Sequence, residues 1–282
     1  MNDHRISLCM IVKDEEKYID GCLKSVKDFV DEMIIVDTGS TDRTIEICKS
    51  FGAQVLNFHW NGDFSEARNY GLDHAAGDWI LWLDADEKVD DTDAKKLRDI
   101  IEYDDLLLYI HLINFYGDIP DPDKTFEIAC TRLFRNHNGF KFINKIHEVL
   151  NESEIIEKLN GSSIIKTVPI KVYHYGYLDS VNKEKNKSER NINMLKAELK
   201  QKDYSPWVLY HIASEYYNLK KYNEALDYVN LSIMGFLRQS KMPPSLLYKL
   251  KYSIFIISGN IEGAWPNIEK AILLYPDYVD LH

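Results

Sequence analysis

Short, almost wholly apolar runs alternate with helix-period segments through the first third of the chain. Ile6–Val12 and Met33–Val36, the first two of four strands completed by Ala53–Leu56 and Trp79–Leu83, are too short for a helix and too apolar for a strand with one wet face. Such runs are buried on both sides, as strands of a parallel sheet are. Between the first two, Ile19, Leu23, Val26 and Val30 recur at helical spacing over 15–29. Ser40 or Thr41 then offers an N-cap to a helix carrying Ile45, Ile47, Cys48 and Phe51 and ending at Gly52. A third helix is expected over 64–75. Strand and helix in turn, at this spacing, predict a parallel or mixed α/β sheet, which takes ligands at the carboxyl ends of its strands.

At 282 residues the chain is long enough for about two domains. Its character changes near residue 180. Leu106–Phe115, Thr131–Phe134 and Lys166–Tyr173 read as further strands. Residues 182–202 are crowded with lysine, arginine and glutamate, which predicts a long solvated helix. Beyond Pro206 the pattern is entirely helical. Leu209, Ile212, Ala213, Tyr216, Ala225, Val229 and Ser232 alternate large and small residues as tetratricopeptide repeats do, and a weaker copy runs from Tyr248 to Pro276. The expected division is therefore 1–180, a linking helix over 181–204, and a helical domain over 205–282. At Tyr278–His282 a further helix should begin, so the helical domain either leans on its neighbour or is shortened.

The net charge of −11 opposes nonspecific nucleic-acid binding and a polybasic membrane anchor. No apolar run approaches the roughly 20 residues of a bilayer span. Met1–Arg5 leads into no apolar signal segment, and Cys9, Cys22, Cys48 and Cys130 form no CxxC pair. A cytosolic protein with reduced thiols is expected.

The strongest chemical signal is Asp84-Ala85-Asp86, directly after the run 79–83. Two carboxylates at a strand's carboxyl end project into the mouth of the sheet. Their oxygens are hard ligands suited to Mg²⁺ or Mn²⁺, and such an ion can offset charge on a departing diphosphate. Alone, the triplet also reads as a solvated acidic loop. Asp37, again at a strand end, is placed to accept from a nucleoside's N–H and hydroxyls. Ser40, Thr41 and Asp42 read equally well as helix caps, and Glu15 and Glu16 as favourable charge at a helix N-terminus.

Four blocks together resemble the family 2 glycosyltransferases: Ser7–Glu16, Ile34–Asp42, Asp63–Asn69 and Leu83–Asp86, in that order and spacing. Phe134-Arg135, His147-Glu148 and His174–Tyr177 extend the likeness, and the helical repeats match the subgroup with a tetratricopeptide tail. Within it, the sublancin-type peptide S-glycosyltransferases are the nearest likeness. The resemblance implies a GT-A fold, inversion at the anomeric carbon, a UDP-sugar donor and Mn²⁺ or Mg²⁺. It assigns Glu15, Asp37, Arg68, Asp84 and Ala85 to the nucleotide sugar and Asp86 to the metal, with His174 a further metal ligand. Lys187 and Arg190, three apart on one helix face, would meet the diphosphate or form a solvated charged face. Inversion needs a general base at the acceptor. Glu148 is the candidate and His147 the neighbouring alternative. Phe58-His59-Trp60 lines the sugar pocket or packs in the core.

The implied acceptor is a peptide or protein side chain, held with help from the helical tail, which also offers a homodimer surface. Lipopolysaccharide-core and other glycan glycosyltransferases share the layout. A nucleotidyltransferase is disfavoured because Lys13–Glu16 is acidic and lacks the glycines that cradle a triphosphate. A catalytically dead sheet domain serving as a peptide-binding module is the remaining alternative.

Overall fold

The computed structural model describes residues 4–101, 105–158, 164–178, 187–201 and 203–282. The chain divides into two compact units, Met1–Lys185 and Asn186–His282.

The first unit is built on a mixed sheet of β1 (Ile6–Val12), β2 (Glu32–Asp37), β3 (Gln54–Asn57), β4 (Trp79–Trp82), β5 (Glu87–Val89), β6 (Asp105–Phe115), β7 (Thr125–Arg135) and β10 (Ile164–His174). A separate pair, β8 (Phe142–Ile143) and β9 (Val149–Leu150), lies between β7 and β10 in the chain. The sheet order is β3-β2-β1-β4-β7-β6-β10-β5. β1, β2, β3 and β4 run parallel, while β7 is antiparallel to both β4 and β6. The antiparallel β7 brings the second half of the unit back beside β4, next to the Asp84–Asp86 loop.

β1 shows why its run is continuously apolar. Ile6, Leu8, Met10 and Val12 enter one core cluster with Ile19, Leu23 and Val26 of helix α1 (Ile19–Val26). Cys9 enters the opposite cluster with Ile34, Ile80, Leu107, Phe134 and Phe142. Side chains alternate across a strand, so a run apolar at every position fills two layers.

Several elements differ from their sequence expectation. α1 is shorter than 15–29, because residues 13–18 serve a loop contact described below. Helix α2 (Thr44–Ser50) begins late, and Asp42, not Ser40 or Thr41, accepts from the Thr44 N–H at 2.9 Å. Helix α3 (Phe64–Leu72) is capped by Asp63, which accepts from the Glu66 N–H at 3.0 Å. β7 starts at Thr125 rather than Thr131, since its first half is supported by pairing with β6 alone, through Phe115 opposite Thr125. β5, β8 and β9 are too short to leave a periodic signal.

In the second unit a helix covers Lys187–Glu198 and stops at Glu198, short of the expected end at 202. Residues 182–186 and 202 of that expectation lie outside the described residues. Helices Pro206–Asn218 and Tyr222–Arg238 then pack as a hairpin, with Ala213, Ala225, Val229 and Phe236 in one core cluster and Ser232 Oγ donating to the Pro206 carbonyl at 2.8 Å. Ser245–Ile257 follows, then Ile261–Ala264 and Asn267–Leu274, with Pro266 at the break. Proline lacks an N–H donor, so the second copy of the repeat cannot continue as one helix. Among the described residues no helix is long and apolar enough to cross a membrane.

Candidate active site

The carboxyl ends of β1, β2 and β4 carry three acidic loops, and the end of β10 carries His174. The first two loops are clasped together. Asp14, at φ 52°, accepts from the Thr41 N–H at 2.7 Å, while its own N–H donates to Ser40 Oγ at 3.0 Å. Glu16 accepts from the Arg43 N–H at 3.1 Å, and the Glu16 N–H donates to Asp42 at 3.0 Å. The Glu15 N–H donates to Thr44 Oγ1 at 2.7 Å, fixing the backbone of this half-buried residue. The carboxylates of Asp14 and Glu16 therefore bind the neighbouring loop rather than the N-terminus of α1.

Asp37 is buried at 4% exposure. Its carboxylate accepts from the N–H groups of Gly39 and Ser40 at 3.1 Å, in a turn that needs Gly39 at φ 108°.

Arg68 holds the centre. Projecting from α3, it is 7% exposed and donates from Nη2 to Asp84 and from Nε to Glu148, both at 2.8 Å. It joins the first carboxylate of the Asp84–Asp86 loop, 16 residues on in the sequence, to the candidate base, 80 residues on. The next residue, Asn69, exchanges two hydrogen bonds with the Phe142 backbone, at 2.8 and 2.9 Å. These adjacent α3 residues thus pin the loop between β8 and β9 that bears Glu148. That loop carries Asn144 at φ 72° and His147 at φ 51°, conformations non-glycine residues rarely adopt. Backbone of this kind clusters at working sites.

A second buried arginine was not anticipated. Arg132 of β7 makes a forked pair with Glu87, Nη2 to Oε1 at 2.5 Å and Nε to Oε2 at 3.1 Å. Its guanidinium lies 3.7 Å from the centre of the Trp82 ring, and that of Arg68 lies 4.6 Å from the same ring. Glu87 also accepts from the Asp84 N–H at 3.1 Å, so this network reaches the backbone of the acidic loop. Burial opposes ionisation of Asp84, but Arg68 and then Arg132 outweigh it and hold the carboxyl well below the usual range. For Glu87, burial dominates and pushes the carboxyl up, against the pull of Arg132. A charged residue between Thr131 and Leu133 of a buried strand was the sequence signal for this pair.

Asp86 is 7% exposed. His174 Nε2 lies 3.5 Å from its Oδ1. Burial alone would lower the His174 pKa, yet the hydrogen bond to Asp86 and the charges of Glu87, Asp86 and Asp84 raise it. Gly176 leaves the space beside them open: a Cβ there would overlap His174 Nε2 and come within 2.7 Å of Asp86 Oδ2. A carboxylate and an imidazole flanking space that only glycine leaves clear fit one divalent ion, with Mn²⁺ suited to the mixed oxygen and nitrogen donors. Among the described residues no group of three or more such side chains forms a complete cage.

Ala85 is 4% exposed and lies between the two acids. Phe58 and Trp60 pack on α3 and its start, against Tyr70 and Phe64, with ring centres 5.6 and 4.7 Å apart. Lys187 and Arg190 stand at the start of the helix Lys187–Glu198 in the second unit, where the exposed Arg190 donates to Asn191 Oδ1 at 3.1 Å.

Comparison with known proteins bears on this arrangement. The family described as "Glycosyl transferase family 2" matches residues 7–159. A TPR repeat-containing protein of Synechococcus elongatus is 31% identical over 95% of this chain and 66% of its own length. The SPbeta prophage-derived glycosyltransferase SunS of Bacillus subtilis is 32% identical over 82% of this chain and 54% of its own length. The chain thus spans between half and two thirds of these relatives. The structure of S. aureus TarS 1-349 in complex with UDP-GlcNAc shares the fold, with TM-score 0.51 at 14% identity, over 92% of this chain and 89% of that one. The matched family region takes in β1 to β9 and every loop from Asp14 to Glu148 described above, and the chain belongs to glycosyl transferase family 2.

Proposed function

We propose that the chain is an inverting, metal-dependent hexosyltransferase that moves a hexose from a UDP-sugar onto a peptide or protein side chain, Cys or Ser/Thr. The observation that carries this reading is the gathering of Asp37, Asp84, Asp86 and His174 at the carboxyl edge of one sheet, beside space kept clear by Gly176.

Asp37, with both oxygens aligned by backbone N–H groups, is an acceptor-only group for the N–H and hydroxyls of uridine. Asp84, ionised and held by Arg68, orients the ribose side of the donor. Asp86 and His174 would hold Mn²⁺ or Mg²⁺, which when bound offsets charge on the diphosphate. Glu148 is 14% exposed at its side chain and commits Oε1 to Arg68, which leaves Oε2 to take the acceptor's proton. Attack with single displacement inverts the anomeric centre. The acceptor class rests on the resemblance to peptide S-glycosyltransferases.

Calorimetric titration of UDP, with and without Mn²⁺, on wild type and Asp86→Ala tests the reading. Metal-dependent binding that the substitution abolishes is expected. Equal binding by both proteins, or none by wild type, refutes it.

A further inference from the structure

Among the described residues, Asn114 is a fully buried amide side chain beside the site that no catalytic reading uses, at 0% exposure on β6. It sits between two partner strands, opposite His174 of β10 and opposite Phe126 of β7. Leu112, two positions back, and Phe115, the next residue, are buried apolar side chains, and an aliphatic residue would satisfy the core without a polar group to pair. Burying an amide without partners costs about 1–3 kcal/mol, so its bonds define what it does.

All of its polar atoms are engaged. Nδ2 donates to the carbonyls of Leu112 at 3.3 Å and Phe126 at 3.4 Å, and Oδ1 faces His174 Nδ1 at 2.8 Å. Turning the amide over would set Oδ1 against two carbonyl oxygens, so the two carbonyls decide which end meets the histidine. An oxygen facing Nδ1 requires Nδ1 to carry the proton. A neutral imidazole has one N–H, so its lone pair is then on Nε2, the nitrogen 3.5 Å from Asp86 Oδ1. The Tyr177 ring, edge-on at 5.3 Å between centres, packs against the same imidazole.

We propose that Asn114 is a positioning residue that selects the Nδ1–H tautomer of His174 and aims Nε2, with Asp86, at a divalent cation. The inference rests on the metal reading given under Proposed function. The partners of metal-bound histidines commonly act this way, fixing ring and tautomer through the distal nitrogen. A neutral amide does so without adding a fourth negative charge near Asp84, Asp86 and Glu87. The choice of asparagine at this position is thereby explained by chemistry rather than packing.

Two measurements test it. The first needs no variant: long-range ¹H–¹⁵N correlation of the His174 ring in metal-free wild type, at a pH where the ring is neutral. The Nδ1–H tautomer is expected, and a predominant Nε2–H tautomer overturns the proposal. The second is Mn²⁺ titration by electron paramagnetic resonance of UDP-saturated wild type and Asn114→Leu, each checked for a native thermal transition. A 10–100-fold loss of Mn²⁺ affinity in folded Asn114→Leu is expected. Normal binding by wild type with unchanged affinity in the variant overturns the role of Asn114 alone. Absence of Mn²⁺ binding by wild type overturns the metal reading beneath it, and the tautomer measurement still judges the Asn114–His174 pair separately.

Discussion

Replacing Arg68 by methionine keeps most of the stem and removes the charge shared by Asp84 and Glu148. The guanidinium is 7% exposed at its side chain, Glu148 14% and Asp84 34%. Removing one partner of a buried pair typically costs about 3–5 kcal/mol, because the other charge is left without compensation. Two carboxylates are stranded here, but Asp84 is about one-third wet and recovers part of its hydration. The single-pair range therefore stands as the expectation for both together. For a unit of this size each kcal/mol lowers Tm by roughly 2–4 °C, giving a fall of about 6–20 °C. Urea unfolding of wild type, Arg68→Met, Glu148→Gln and the double variant measures it. Glu148→Gln removes one stranded charge in advance, so the double variant should be more stable than the summed single effects predict, by about 0.5–3 kcal/mol. A loss under about 1 kcal/mol in Arg68→Met, or strict additivity, would show that Arg68 does not hold these groups together.

Other expectations follow from the same geometry. Gly176→Ala places a methyl between His174 and Asp86 and should weaken Mn²⁺-dependent UDP binding at least tenfold by calorimetry; unchanged affinity would mean the space is not used. Glu148→Gln should retain UDP affinity within a few fold but lower transfer by about 10²–10⁴, the usual worth of a general base; transfer at the wild-type rate would remove Glu148 from that role. His174 has a folded-state pKa raised above its ordinary 6.5. Its stabilisation of the metal-free protein is thus fully present below pH 6.5 and is lost as pH rises through the folded value. Tm of metal-free wild type should fall over that rise more than Tm of His174→Gln, and parallel curves would count against the His174–Asp86 contact.

What could be read from sequence is what local pattern encodes. β1, β2 and β4 are legible because a strand buried on both faces must be apolar at every position, and Asp37 and Asp84 follow from where such strands end. Glu148, His174 and Arg68 could be named only because whole blocks resemble a family; no periodicity points to them. Asn114 and Arg132 left a trace, a polar residue at a buried position of each of two strands, but a trace without a partner. Their partners lie 60 and 45 residues away, on β10 and β5, brought near by the sheet order β7-β6-β10-β5. Gly176 is silent in sequence, since its meaning is the distance from its absent Cβ to Asp86 and His174.

The sequence by itself determined the longer strands and helices to within their ends, the acids at the strand ends and the family, since each depends on residues near one another in the chain. Only the tertiary structure decided that Arg68 bridges Asp84 to Glu148, that Arg132 neutralises Glu87, and that Asn114 orients His174. Charges and hydrogen bonds act over a few ångströms in space, and in this fold those ångströms connect residues that the chain keeps 16 to 80 positions apart.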